Sequence, residues 1–292
     1  MPTFTGSRGR VFHDRWLPEH PARSAVVLVH GYGEHLGLYD ALGRRLTADG
    51  HAVHAFDVVG HGRSDGDRAV IASWDHVVDD ARRLAELARA RHPGTPLTVV
   101  GHSGGAVAAM LLAQRSPGIM DALVLSGGPL RHLAWVDAEL ALGHDEGEPG
   151  EPVEFLSTHP GYVHALLHDP LTWKGGFRAE TLRALRATWP EIEAGLAGGR
   201  PAVPTLLVHG EADPIVPVAD SHAVAARLPR ATVVTFPGDL HDVLNEHDRD
   251  AVHDTVAGFL AEAPWSSAAP PAPTRAGTGT GATGPPAAPS RP

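Results

Sequence analysis

Six short apolar runs recur along the chain: SAVVLVH (24–30), HAVHAFD (51–57), PLTVVGH (96–102), DALVLSG (121–127), PTLLVHG (204–210) and ATVVTFP (231–237). Each has strand length, is rich in Val and Leu, and closes on a polar or glycine-containing turn. Strands buried on both faces read this way. Helix-like stretches lie between them at 36–48, 75–91, 105–115, 219–228 and 247–262. This alternation predicts an α/β fold, a mostly parallel central sheet with helices on both faces. GRVFHDRW (9–16) adds an antiparallel edge strand or hairpin.

The alternation fails between about 129 and 200. Two amphipathic patterns, PLRHLAWVDAELAL and RAETLRALRATWPEIEAGL, lie around an acidic Gly/Pro stretch, GHDEGEPGEPVE (143–154). This interval is expected to be a helical cap insertion over the sheet's C-terminal edge, within one domain spanning 1–263. Residues 130–199 carry five Lys/Arg against eleven Asp/Glu, a net −6. Residues 264–292 are mostly Ala, Pro, Gly, Thr and Ser, a composition that buries too little surface to offset ordering entropy, so a disordered tail is expected.

Composition removes several classes of function. With 292 residues and a formal charge of −10, the chain lacks the basic surface that nucleic acid requires. It has no cysteine, hence no disulfide, thiol nucleophile or thiolate zinc site. No HExxH pattern or His/carboxylate cluster at helix-face spacing is present, so neither metal nor other cofactor is expected. The start, MPTFTGSRGR, has no apolar core like that of a signal peptide, and no run approaches the ~20 apolar residues that span a bilayer. A cytoplasmic protein without stable membrane insertion is expected.

Two pentapeptides match Gly-x-Ser-x-Gly, the mark of a strained strand-to-helix turn that presents a nucleophilic serine: GRSDG (62–66) and GHSGG (101–105). Ser103 follows an apolar strand and precedes GGAVAAMLLA, a helix that opens on small residues, as a tight turn demands. Ser64 precedes charged residues and no immediate helix, so a turn role is expected there. A serine needs a base to take its proton and an acid to orient that base. In this architecture the acid and base follow in the order Asp/Glu, then His. The turn after PTLLVHG offers Asp213, with Glu211 as the alternative acid. The turn after ATVVTFP offers His241 as base. His247 and His253 fall in the last helical stretch and are expected to face solvent. The oxyanion hole needs two backbone N–H groups. Gly104, next to the nucleophile, supplies one, and Tyr32 in HGYGEH (30–35) supplies the other. For His30 and Gly31 a turn-forming role suffices.

HGYGEH, DVVGHGRSDG, GHSGG, HGEADPIVP and LHDVLNE occur in order and at characteristic spacing. From about Phe4 to Leu260 the chain resembles the monoacylglycerol lipase / lysophospholipase group of the α/β-hydrolase superfamily, in a bacterial, serine aminopeptidase S33-like form. The resemblance implies the α/β-hydrolase fold, a Ser103–Asp213–His241 triad, Tyr32 and Gly104 N–H groups as the hole, and FLSTHPGYVHALLHDPLTWKGG (155–176) as the second half of the cap. It implies a serine ester hydrolase of lipid metabolism whose partner is a small-molecule acyl ester, such as a monoacylglycerol or another short- or medium-chain ester. The same fold also hosts lysophospholipase, lactonase, perhydrolase and peptidase chemistry, and non-catalytic binding homologues. Two departures bear on substrate. Gly104 stands where the family usually has Met, which removes an apolar contact beside the acyl chain. The acidic 143–154 stretch replaces apolar cap surface. Both argue against packed long-chain lipid. Leu130, Leu133, Leu140, Phe155, Leu182, Leu185 and Leu196 are the candidate walls of the acyl pocket, though most such stripe residues pack as ordinary core.

Truncation after Pro264 is expected to leave the melting temperature and kcat/KM unchanged. Thermal unfolding and ester hydrolysis of the two chains, side by side, check this.

Overall fold

The computed structural model describes residues 2–143 and 155–262. Its strands are β1 (Thr3–Gly6), β2 (Gly9–Trp16), β3 (Ser24–Val29), β4 (His51–Phe56), β5 (Leu97–His102), β6 (Ala122–Ser126), β7 (Thr205–Gly210) and β8 (Ala231–Phe236). They form one sheet in the order β1-β2-β4-β3-β5-β6-β7-β8. β1 and β2 pair antiparallel, and β2 joins the sheet antiparallel to β4, with Trp16 opposite Val53. From β4 to β8 every pairing is parallel, and Val27 of β3 lies level with His54 on one side and Val99 on the other.

The apolar runs are continuous because both faces are covered. Val27, Val29, Val99, Leu123 and Leu125 point into a core closed by α2 (Trp74–Arg91), α3 (Gly104–Arg115) and α6 (Ala179–Ala197). Their neighbours Val26, Leu28, Val100, Val124 and Val208 enter a second core beneath α1 (Asp40–Ala48) and α8 (Arg249–Glu262). Burying such a side chain contributes roughly 1.5–3 kcal/mol. Packing of this kind, rather than helix propensity, holds the layers together.

The stretch read as one helix over 36–48 begins as a 3-10 turn, Leu36–Tyr39, before α1. The stretch read over 219–228 is α7 (Val218–Ala225). The final helix corrects the reading of its histidines. His247 precedes α8 and is exposed, whereas His253 is buried and donates from Nε2 to Leu244 O at 2.8 Å. Position 253 shares a helix face with Val256, Ala257 and Leu260, so packing that face on the sheet encloses the imidazole.

Between β6 and β7 lie α4 (Ala134–Leu142), α5 (Pro160–His168) and α6. α5 starts with Pro160 in its first turn and a His159 ring that accepts Tyr162 N at 3.1 Å. α6 is tied to the body by Trp189 Nε1, which donates to Pro129 O at 3.0 Å, and by the two-pronged Arg115–Glu191 pair at 2.7 and 2.6 Å. The acidic stretch from His144 to Glu154 and the proposed tail at 264–292 lie outside the described residues. Among the described residues no helix is long and apolar enough to cross a membrane.

At the β5–α3 junction backbones touch directly. A Cβ on Gly105 would lie 2.1 Å from Val29 O, and one on Gly101 would lie 2.4 Å from Gly105 O. Gly105→Ala is therefore expected to cost about 1–3 kcal/mol or more, because backbone cannot yield as a side chain does. Gly258 in α8 has nothing within 4 Å of such a Cβ, and Gly258→Ala is expected to add about 0.5–1 kcal/mol. Denaturant unfolding of the two variants reads opposite signs if the junction is this tight.

Candidate active site

Ser103 occupies the turn between β5 and α3 with φ +50° and ψ −120°, a conformation costly for any residue with a Cβ. As the residue preceding α3 it is placed to cap the helix, yet its side chain makes no cap hydrogen bond. Its Oγ lies instead 2.9 Å from His241 Nε2. His241 Nδ1 lies 2.8 Å from Asp213 Oδ2. In the neutral ring, Nδ1–H donates to the carboxylate and Nε2 accepts the serine hydroxyl. The three sequence candidates are thus brought together, from turns after β5, β7 and β8.

Asp213 is fully enclosed and fully satisfied. Oδ1 accepts Ile215 N at 2.8 Å and Val216 N at 3.0 Å, and Oδ2 also faces His209 Nε2 at 3.0 Å. His209, at the end of β7, touches Val216 O at 2.9 Å through the same nitrogen and Ser221 Oγ at 2.7 Å through Nδ1. Burial alone would raise the Asp213 carboxyl, but the charge of protonated His241 and the hydrogen bonds from His209 and His241 outweigh it and hold it far below the usual range. Burial likewise lowers His241, but the Asp213 charge prevails and pushes it up to about 9. The alternative acid, Glu211, is exposed and accepts Thr235 Oγ1 at 2.7 Å. Ser64 serves its turn: its Oγ donates to Asp57 O at 2.5 Å and accepts Phe12 N at 2.9 Å.

The candidate oxyanion donors adjoin. Gly104 opens α3, so its N–H has no acceptor within the helix. A Cβ on Gly104 would stand 3.9 Å from Tyr32 N, and one on Gly31 would stand 3.1 Å from Ser103 Cβ. Val58 N donates to His30 Nε2 at 2.9 Å, which leaves Nδ1–H to donate to Gly31 O at 2.8 Å. That carbonyl and Tyr32 N–H belong to one peptide unit, so the imidazole sets the plane of the N–H. Behind the turn, Glu34 Oε2 accepts Gly31 N at 2.7 Å and Tyr39 Oη at 2.6 Å. Tyr162 Oη lies 2.8 Å from Glu34 Oε1 and 2.6 Å from Asp242 Oδ2, and Asp242 Oδ1 meets His102 Nε2 at 2.7 Å. Burial and the neighbouring Asp242 and Glu34 carboxylates keep the Tyr162 hydroxyl well above its ordinary pKa, as a neutral donor.

A cavity opens above Ser103, walled chiefly by apolar side chains: Trp74, Trp135, Phe177, Leu182, Leu185, Ile215 and Val216. Of the leucines expected to line it, Leu182 and Leu185 do. Leu130, Leu133 and Leu196 are buried in the core, Leu140 packs at its margin, and Phe155 is 46% exposed. The contact expected to be missing beside Gly104 is supplied by Trp74. Its Cζ2 would stand 3.3 Å from a Cβ there, and its Nε1 donates to Gly104 O at 3.0 Å. Sequence reasoning assigned nothing to His209, Glu34 or Trp74. The His-Gly ending β7 and the Glu-His closing HGYGEH were the visible signals, but which side chain they serve depends on packing.

The model of the family described as serine aminopeptidase, S33, matches residues 20–248. A monoacylglycerol lipase of Mycolicibacterium smegmatis is 36% identical over 88% of this chain and 95% of its own length. The human monoglyceride lipase is 29% identical over 73% of each chain. Among solved structures, the monoacylglycerol lipase of Paleococcus ferrophilus superposes with a TM-score of 0.73 at 25% identity, over 86% of this chain and 98% of that one. The chain belongs to the serine aminopeptidase S33 family of the α/β-hydrolases.

Proposed function

We propose that this protein is a serine ester hydrolase acting on monoacylglycerols or similar short- and medium-chain acyl esters, in the cytoplasm. The observation that carries the reading is the unbroken line Ser103 Oγ–His241–Asp213, at 2.9 and 2.8 Å, on the floor of an apolar cavity. His241 Nε2 takes the proton as Ser103 Oγ attacks the ester carbonyl. Negative charge develops on the carbonyl oxygen, which the Tyr32 and Gly104 N–H groups stabilise at the positive end of α3. Imidazolium then protonates the departing alcohol, leaving an acyl-serine. Water, deprotonated by the same ring, releases the acid. Asp213 holds the ring's tautomer throughout and offsets its charge. The net −6 of residues 130–199 repels an anionic membrane surface, which favours dissolved esters over packed lipid.

Ser103→Ala is expected to abolish hydrolysis and labelling by a fluorophosphonate probe, with Ser64→Ala still labelled. His241→Ala should lower kcat by several orders of magnitude. Asp213→Asn should cost about 10⁴, as in the serine-protease analogue, and Glu211→Gln little. A series of p-nitrophenyl esters and monoacylglycerols tests the substrate class. Efficient cleavage of emulsified long-chain triacylglycerol would overturn it.

The neutral imidazole is the working base, and His241 sits above the ordinary 6.5. Activity is therefore expected to climb with pH toward a plateau past about 9 rather than past neutrality. Burial lowers this pKa and Asp213 raises it, so Asp213→Asn should move the residual activity's rising limb to lower pH. A profile flat from about pH 5 to 8 contradicts a histidine base.

A further inference from the structure

The turn carrying Tyr32 is bonded at four successive residues to the chain between β6 and β7. Tyr32 Oη donates to Gly176 O at 3.2 Å and accepts Arg178 N at 3.1 Å, and its ring stacks on Phe177 with centroids 4.8 Å apart. Gly33 O accepts Trp173 N at 2.8 Å. Glu34 meets Tyr162 of α5, and His35 Nε2 lies 3.2 Å from Asp169 Oδ2. The body holds the turn as well: His30 fixes one side of the Gly31–Tyr32 peptide, Tyr39 Oη donates to Glu34 Oε2 at 2.6 Å, and the Tyr32 ring meets His61 edge-on with centroids 5.4 Å apart. The Tyr32 hydroxyl itself is bonded to the cap alone.

We propose that Tyr32 is a positioning residue as well as a backbone donor: through its hydroxyl, the cap segment 173–178 fixes the aim of the Tyr32 N–H at the oxyanion. The inference rests on the ester-hydrolase reading of the site. A docked cap holds the hole in register with the acyl group its own walls receive, and a displaced cap loosens both. Tyr162 makes the same connection one layer deeper. Its hydroxyl reaches the Glu34 carboxylate that anchors Gly31 N, the N–H immediately before the Gly31–Tyr32 peptide.

Tyr32→Phe keeps the backbone N–H and the aromatic stack and removes only the two hydroxyl bonds. With a short p-nitrophenyl ester, kcat should fall about 3- to 10-fold while KM stays within about twofold, the scale of one net hydrogen bond. The inhibition constant of a trifluoromethyl ketone, whose adduct places an oxyanion in the hole, should weaken by the same factor. Tyr162→Phe should give the same split, and the double variant should lose less than the product of the two, since both release one turn. A rise in KM at constant kcat would make Tyr32 a pocket lining only and overturn the proposal. So would kcat and ketone affinity that stay at wild-type values while the melting temperature drops. Should Tyr32→Phe not fold, Tyr162→Phe decides by the same readouts. An inactive wild-type chain overturns the ester-hydrolase reading itself. An active one whose variants keep kcat overturns this inference alone.

Discussion

The contact between the first turn of α3 and the end of β3 is a contact of backbone on backbone, and the site exists because of it. With Val29 O where a Gly105 side chain would be, α3 is pressed onto the strand and its N-terminus is driven against the turn that follows β3. A Cβ on Gly104 would then stand 3.9 Å from Tyr32 N, and Gly31 backs onto Ser103. At the same junction Ser103 has φ +50°, and its hydroxyl makes no hydrogen bond to its own helix. The candidate donors, Ser103 and the positive end of a helix dipole converge where Gly31, Gly101 and Gly105 leave no Cβ in the way.

A second constraint is electrostatic. Asp213, Glu34 and Asp242 all have buried side chains, and a buried carboxylate is costly unless hydrogen-bond donors or an opposite charge meet it. Asp213 finds backbone N–H groups and two imidazoles. Glu34 and Asp242 divide Gly31 N, two tyrosine hydroxyls and His102. Their charge adds to that of Asp213 in raising the His241 pKa. The ring is therefore set by a small acidic cluster rather than by one partner.

The sheet was legible because each strand is a short apolar run between turn residues. Ser103, Asp213 and His241 were legible because each sits in the turn after such a run. Depth beneath a helix was not. His253 reads as polar, yet shares a helical face with Val256 and Leu260 and follows them inside. His209 sits in a strand whose pattern says only that it is buried. Trp74 begins a helix thirty residues from Gly104, and only the crossing of α2 past the turn brings the indole against it. Glu34 and Tyr162 are separated by 128 positions, a pairing that no local period encodes.

Ser103, Asp213 and His241 lie in sheet turns, whereas Trp135, Phe177, Leu182 and Leu185 of the cavity wall belong to an insertion between β6 and β7. Such a division ordinarily lets an enzyme lineage exchange one cap for another and acquire new substrates while its reactive centre stays untouched. Here residues 32–35 are each fastened to the insertion, so that freedom is curtailed. Replacing Leu182 or Leu185 reshapes a wall at small cost, because α6 makes none of these four ties. Replacing the stretch from Tyr162 to Arg178 disturbs the turn that carries Tyr32. Divergence within relatives of this chain should therefore accumulate readily along α6, and should cross the 162–178 stretch only in step with changes in the HGYGEH turn.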